Sequence, residues 1–267
     1  MAIKDVMLLL TDAGDSNRLL PLATKIVRDA GASLTAVYIT DLGEEELPTQ
    51  LELTRTSVTD RLEEAKLAHS WREVSGSSPD ILVRTARCFD LIIGSQPDLV
   101  GGTRRKRNIP EDIVVGAGRP VLLVPRSGEF HSTGSRALIA WDGSREAARA
   151  LHDAVPLLMQ TKETAIYRVN PRPEDETVDS DIIGHLKLMG ITATRHTTRA
   201  GRPPNETAVM GPRGLDVGDV LLSASADFGA DLLVMGAYHH SRAREAVLGG
   251  VTHHVFQHMT VPVLMSH

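Results

Sequence analysis

The sequence predicts an α/β protein of two similar halves, each a five-stranded, mainly parallel sheet flanked by helices. Three observations predict it. Short apolar runs of strand length alternate with helical patterns along the chain, which implies buried strands with helices over both faces. The same segments recur in the same order. Phe89-Asp-Leu-Ile-Ile-Gly94 and Ala230-Asp-Leu-Leu-Val-Met-Gly236 are each followed, 26 residues after the glycine, by Pro-Val-Leu, at Pro120 and at Pro262. Finally, residues 125–135 are polar and glycine-containing, which suits a connection. Units of 1–126 and 135–267 follow.

The elements repeat in order. Val6 to Asp12 is an apolar run closed by an acid, and so is Ala137 to Asp142. A helical pattern follows each, then Leu34-Thr-Ala-Val-Tyr38 or Glu163-Thr-Ala-Ile-Tyr167. The two tyrosines are 129 positions apart and Gly94 and Gly236 are 142 apart, so the second half holds about a dozen extra residues. They fall on 199–214, a Gly/Pro-rich stretch that reads as a loop insertion. In the second half, periodicity predicts strands near 136–141, 163–169, 192–197, 231–235 and 261–265. It predicts helices near 144–159, 177–189, 216–228 and 249–258. Ser144 is placed to cap the first of these, with Ala147, Leu151, Ala154 and Leu158 at helical spacing. Asp142 and Gly236 both stand at strand carboxyl ends, where such sheets bind ligands if the strand order reverses. Each half closes on a Pro-Val-Leu strand at a sheet edge, and edges seek partners, so these two strands are expected side by side.

Composition narrows the function. With 42% hydrophobic and 24% charged residues among 267, the chain has the make-up of a soluble globular protein. A net charge of −5 argues against a nucleic-acid partner, and 3% aromatics argue against a base-stacking surface. A single cysteine, Cys88, excludes an intrachain disulfide and a cysteine zinc site, and it suits the reducing cytoplasm. The first apolar run breaks at Asp12, too soon to span a bilayer, so no membrane partner is expected.

The chemistry concentrates in Val234-Met-Gly-Ala-Tyr-His-His-Ser-Arg-Ala-Arg-Glu-Ala-Val-Leu-Gly-Gly-Val-Thr252. A glycine turn after a strand lets backbone N–H groups approach an anion. Gly249 and Gly250 open the last helix, whose first N–H groups would face phosphates, and Ser241 and Arg242 add donors. No lysine follows a glycine run, so this is not a Walker loop. The segment resembles the phosphate-binding signature of ATP-binding universal stress proteins: glycine, two residues, glycine, nine residues, glycine, then Ser or Thr. Gly236 and Gly249 fill the first and third positions, while His239 and Gly250 stand at the second and fourth. The likeness extends to Ala140-Trp-Asp142-Gly-Ser144 and Val261-Pro-Val-Leu264, and to the whole chain, since many members are tandem pairs.

The resemblance implies a Rossmann-type, nucleotide-binding α-hydrolase-like fold. Asp142 would contact adenine with Val169 nearby, and Met235, Gly236, His239, Ser241, Arg242, Gly249, Gly250 and Val251 would surround the nucleotide. The ligand would be ATP or a related adenine nucleotide, with any Mg2+ held by its phosphates. The role would be regulatory or stress-related, in an intramolecular pseudo-dimer of the repeats that could pair further. At position 239 a Cβ and a ring replace glycine, and the ring would either crowd the phosphate side, the expected outcome, or turn inward and donate to a phosphate oxygen. An offset of 142 maps Gly94 to Gly236, Pro97 to His239, and Arg107 and Asn108 to the closing glycines. Asp12, closing its apolar run as Asp142 does, stands at the adenine position, but proline offers no N–H, so the first half reads as structural.

Other readings stay open. The glycines also suit turns and caps without a ligand, and Asp142 suits an Asx turn. The chain could be an interaction protein of this fold with no nucleotide, or a slow nucleotide hydrolase. No nucleophile–base constellation is visible, so no catalytic residue is assigned. An adenylyl-transferring enzyme would need a His-x-x-His element after the first strand, which neither half has. Among His239, His240, His253, His254, His258 and His267, the pair 254/258 has chelating spacing. None of the glutamates follows a zincin pattern, so no metal site is expected. Arg104 to Arg107 reads as a solvated basic loop.

Overall fold

Each apolar run forms a strand, and the runs between pack on it as helices. The computed structural model describes residues 2–40, 48–75, 79–97, 104–199, 217–238 and 250–267. The first half runs β1 (Asp5–Leu10), α1 (Ala13–Ala30), β2 (Ser33–Thr40), α2 (Pro48–Glu64), β3 (His69–Ser75), α3 (Pro79–Ala86), β4 (Leu91–Ser95), α4 (Arg104–Gly116) and β5 (Val121–Val124). The second runs β6 (Arg136–Ala140), α5 (Arg145–Leu158), β7 (Glu163–Val169), α6 (Asp175–Leu188), β8 (Ala193–Thr198), α7 (Val217–Phe228), β9 (Leu232–Gly236), α8 (Val251–His258) and β10 (Val263–Ser266). Strand 163–169 lies where expected, and the other predicted elements of the second half shift at their ends by one or two residues. Pro262 stays out of the ladder because it has no N–H; its carbonyl instead accepts from Leu233 at 3.0 Å. Most of the 199–214 insertion lies outside the described residues.

The ten strands form one sheet in the order β3-β2-β1-β4-β5-β10-β9-β6-β7-β8. Pairing inside each half is parallel. Strand order therefore reverses twice, between β1 and β4 and between β6 and β9. Side chains alternate across the sheet. Val6, Leu8 and Leu10 join Ala137, Ile139 and Trp141 in one core layer with α1 and α5. Met7, Leu9 and Leu138 join the other layer with Ile113, Ala224 and Phe256 from α4, α7 and α8. None of the described helices is long and apolar enough to cross a membrane.

Where the halves meet, β5 and β10 pair antiparallel through Val121↔Met265, Leu122↔Leu264 and Leu123↔Val263. The two closing strands are thus neighbours, and each covers the edge the other would expose. Residues 133–267 alone should dimerise or aggregate through β10. Sedimentation showing a stable monomer at high concentration would rule this out.

The strand ladders give a finer equivalence of the halves than motif matching does. Asp90 accepts the N–H groups of Lys4 and Asp5, and Asp231 accepts those of Ser135 and Arg136. Asp5 therefore matches Arg136, a shift of 131, and the same shift carries every buried residue of α1 except Leu22 onto the buried set of α5. The ladders then match Thr11 to Asp142, Tyr38 to Arg168, Ser95 to Gly236 and Gln96 to Ala237. This corrects three pairings from the sequence, Asp12 with Asp142, Tyr38 with Tyr167 and Gly94 with Gly236, each by one residue. A slip of one residue leaves the apolar content of these short runs unchanged, and the glycines and tyrosines near their ends are not equivalent; the acids Asp90 and Asp231, 141 apart, are the markers that agree with the ladders.

Candidate functional site

The second reversal of strand order leaves a crevice beyond the carboxyl ends of β6 and β9, where open α/β sheets take ligands. Three neighbouring strands feed it. β6 leads into Asp142, β7 ends at half-buried Val169, and β9 ends at buried Met235 and half-buried Gly236. Asp142 and Gly236 stand on adjacent strands because Ala137–Ile139 pairs with Leu232–Val234.

Asp142 is exposed, and one of its oxygens is engaged. Oδ1 accepts the Ser144 N–H at 2.9 Å, closing an Asx turn. Ser144 caps α5 as expected, accepting from the Ala147 N–H at 3.1 Å. Between them Gly143 takes φ 80°, a conformation that glycine alone adopts freely. Oδ2 of Asp142 has no partner among the described residues. The turn role leaves that oxygen available.

On the other side of the crevice, Gly250 is the N-cap of α8, with φ −66° and ψ 163° and no side-chain cap. The helix begins at half-buried Val251, and first-turn N–H groups have no acceptor within a helix. Thr252 ties the helix to β9, its buried Oγ1 accepting the Tyr238 N–H at 3.2 Å. The family signature has its hydroxyl at position 250, whereas here the hydroxyl stands two residues on, at Thr252. His239, Ser241, Arg242 and Gly249 lie outside the described residues.

Gly236 has a packing role of its own. A Cβ there would stand 2.6 Å from the Ala147 nitrogen and the Glu146 carbonyl carbon, so α5 can approach β9 only because residue 236 is glycine.

Beneath the Asp142 turn lies an ion-pair cluster that the sequence did not reveal. Arg168, 4% exposed, donates from Nε to both oxygens of fully buried Asp179 at 2.9 and 3.1 Å, and from Nη2 at 2.6 Å. Asp175 lies 3.4 Å from Arg168, and Arg195 lies 3.5 Å from Asp179. The Arg168 guanidinium packs on Gly143, with Nη2 3.6 Å from where a Cβ would sit. Alternation was the available signal: Thr164, Ile166 and Arg168 share a face, and a charge turned toward a core needs a partner. In the first half the matching place holds a stack of Tyr38 on Trp71, centroids 5.7 Å apart.

The first-half crevice is filled differently. Asp15, fully buried, accepts from the Thr11 N–H at 2.8 Å, the Thr11 hydroxyl at 2.7 Å, Arg18 at 2.8 Å and the Ser95 hydroxyl. Asp12 caps α1, accepting from the Asp15 N–H at 3.0 Å. Its role matches that of Ser144, not Asp142.

Elsewhere, His254 and His258 of α8 lie with ring centroids 4.6 Å apart. An acid that sequence spacing did not suggest, Asp219 of α7, comes within 2.9 Å of His254, at ion-pair distance but outside hydrogen-bond alignment. Among the described residues no group of three or more His, Cys, Asp and Glu is arranged to hold a metal. A cavity of about 190 Å3 lined by Lys25, Asp29, Thr133, Gln160 and Lys162 lies at the amino ends of the strands and shares no residue with the crevice.

Comparison with known proteins places this architecture. Over nearly its full length the chain superposes on a universal stress protein from Archaeoglobus fulgidus DSM 4304, with TM-score 0.71, 16% identity and coverage of 98% of this chain and 97% of that one. It also superposes on a protein of unknown function from Pseudomonas aeruginosa PAO1, with TM-score 0.63, 17% identity and coverage of 99% and 92%. No curated protein matches significantly in sequence. Residues 135–267, which hold the crevice between β6 and β9, match the model of the universal stress protein family. Residues 135–267 thus belong to the universal stress protein family, and the first half repeats their fold.

Proposed function

We propose that the second half binds one adenine nucleotide, ATP or a close relative, in the crevice beyond β6 and β9, and that the first half carries no such site. This reading is supported by the placement of Asp142 just past β6 and of the start of α8, whose N-cap Gly250 offers no side chain, after the neighbouring strand β9. The free Oδ2 of Asp142 is an acceptor suited to the exocyclic amine of adenine. The N–H groups opening α8 at Gly250 and Val251 suit phosphate oxygens, and the sequence offers His239, Ser241, Arg242 and Gly249 as further candidates. In the first half the equivalent place holds the Asp15–Arg18–Ser95 network, and Pro97 stands by register where Tyr238 donates to Thr252. The role proposed is that of a nucleotide-responsive regulatory protein of the stress response. One observation favours a second reading, an interaction protein without nucleotide: packing against α5 already accounts for Gly236.

Titration calorimetry with ATP tests the proposal. One site per chain is expected. Asp142→Asn keeps the acceptor that closes the Asx turn but turns the second oxygen into a donor, so it should weaken binding about tenfold or more. Asp12→Ala should leave affinity within about 0.5 kcal/mol, as for a remote change. Two equal sites, or indifference to Asp142, would overturn the assignment.

A further inference from the structure

Gln96, the first residue beyond β4, reaches from the first half into the second. Its Nε2 donates to the carbonyl oxygens of Phe256 at 2.7 Å and Gln257 at 3.2 Å. Both belong to the last turn of α8, where carbonyls have no acceptor role inside the helix. Its Oε1 accepts the N–H of Arg126, just past β5, at 3.0 Å. Two acceptors on one side and a donor on the other determine which end of the amide is nitrogen. The backbone is held as well, the Gln96 N–H donating to Val124 at 2.8 Å. Gln96 is thus a C-terminal cap of α8 supplied by the other half.

The contact in the opposite direction is made by a different residue: Arg149 of α5 donates to the carbonyl of Gly118, two residues past α4, at 2.9 Å. Gln96 and Ala237 are equivalent, each donating its N–H to the last residue of the neighbouring strand, Val124 or Ser266. Ala237 has no side-chain donor. The counterpart helix α4 instead ends on Gly116, whose carbonyl accepts from Arg87 of its own half at 3.1 and 3.3 Å. Among the described residues, α8 is the helix whose last-turn carbonyls accept from a side chain of the other half, and it is the one that opens onto the crevice. α8 has 8 residues, so its ends are about two turns apart, and fixing one end fixes the other.

We infer that Gln96 is a positioning residue for the crevice-facing end of α8, through which the first half sets the nucleotide affinity of the second. The inference rests on the nucleotide site proposed above. It gives the first half a role in binding although no nucleotide site is proposed there.

The test uses the full chain, Gln96→Ala and Gln96→Glu, with ATP calorimetry, amide hydrogen exchange at residues 251–258 and thermal melting to establish that each variant is folded. Gln96→Ala should weaken ATP binding about threefold to tenfold, the worth of one or two hydrogen bonds, and speed exchange in α8. In Gln96→Glu at about pH 8 a carboxylate faces two carbonyl oxygens and cannot donate, so affinity falls at least as far. Toward about pH 5 the protonated acid can donate again, and the ratio to wild type should recover. A general loss of packing would give no such recovery. Wild-type affinity in both variants, or no recovery in the glutamate variant, overturns the clamp. If the wild type binds no ATP, the site reading fails and the affinity claim with it. The exchange data then decide the clamp alone, and unchanged exchange in Gln96→Ala removes it.

Discussion

Replacing Asp179 by alanine should cost the fold about 3–5 kcal/mol, the usual cost of leaving a buried charge without its partner. Arg168 would lose three hydrogen bonds at 2.6 to 3.1 Å while remaining 4% exposed. Asp175 at 3.4 Å is too distant to replace them fully, and Arg195 adds a second positive charge nearby. Urea unfolding should show a lower midpoint at an unchanged slope. Arg168→Met combined with Asp179→Leu should regain most of the loss, because a buried pair replaced by apolar groups of similar volume is often neutral. A single-variant cost under about 1 kcal/mol would mean that water already screens the pair. The effect should also reach the crevice, since Arg168 supports Gly143 and the turn presenting Asp142.

Gly236→Ala should cost about 1–3 kcal/mol or more, as overpacking does, because the new methyl group meets helix backbone. The nearest atoms are the Ala147 nitrogen and Glu146 carbonyl carbon at 2.6 Å, with Glu146 Cβ at 2.8 Å, and none of these can rotate away. Relief requires α5 to move off β9, which shifts the Ser144 cap and the Asp142 turn together. Gly94→Ala is the control. Its nearest neighbour would be a Leu9 methyl carbon at 3.4 Å, so its cost should stay under about 1 kcal/mol. Thermal melting separates the two, and equal costs would refute the close approach of α5.

Much of the fold was legible because local pattern carries it. The run Glu163–Val169 is a strand by its alternation, and Ser144 is a cap by its position before Ala147, Leu151 and Ala154. The repeat was visible in Asp90-Leu-Ile-Ile and Asp231-Leu-Leu-Val, whose acids perform the same backbone bonding in both halves. The adjacency of Asp142 and Gly236 followed from topology, since a parallel sheet with crossover helices puts strand carboxyl ends together.

By itself the sequence determined the α/β class, the doubling, the pairing of the closing strands and the crevice where a ligand would lie. The class and the doubling depend on periodicity and composition within short windows, while the pairing of the closing strands followed from the exposure of sheet edges and from the family resemblance. Only the tertiary structure decided the one-residue register between the halves, the Arg168–Asp179 pair, the packing demand on Gly236, the Thr252 tie and the reach of Gln96 across 160 positions to Phe256. Each of these is a contact between residues far apart in the chain or on different elements. Such contacts exist only once strands have paired and helices have docked, and local propensity carries no record of which distant side chain will be there to meet.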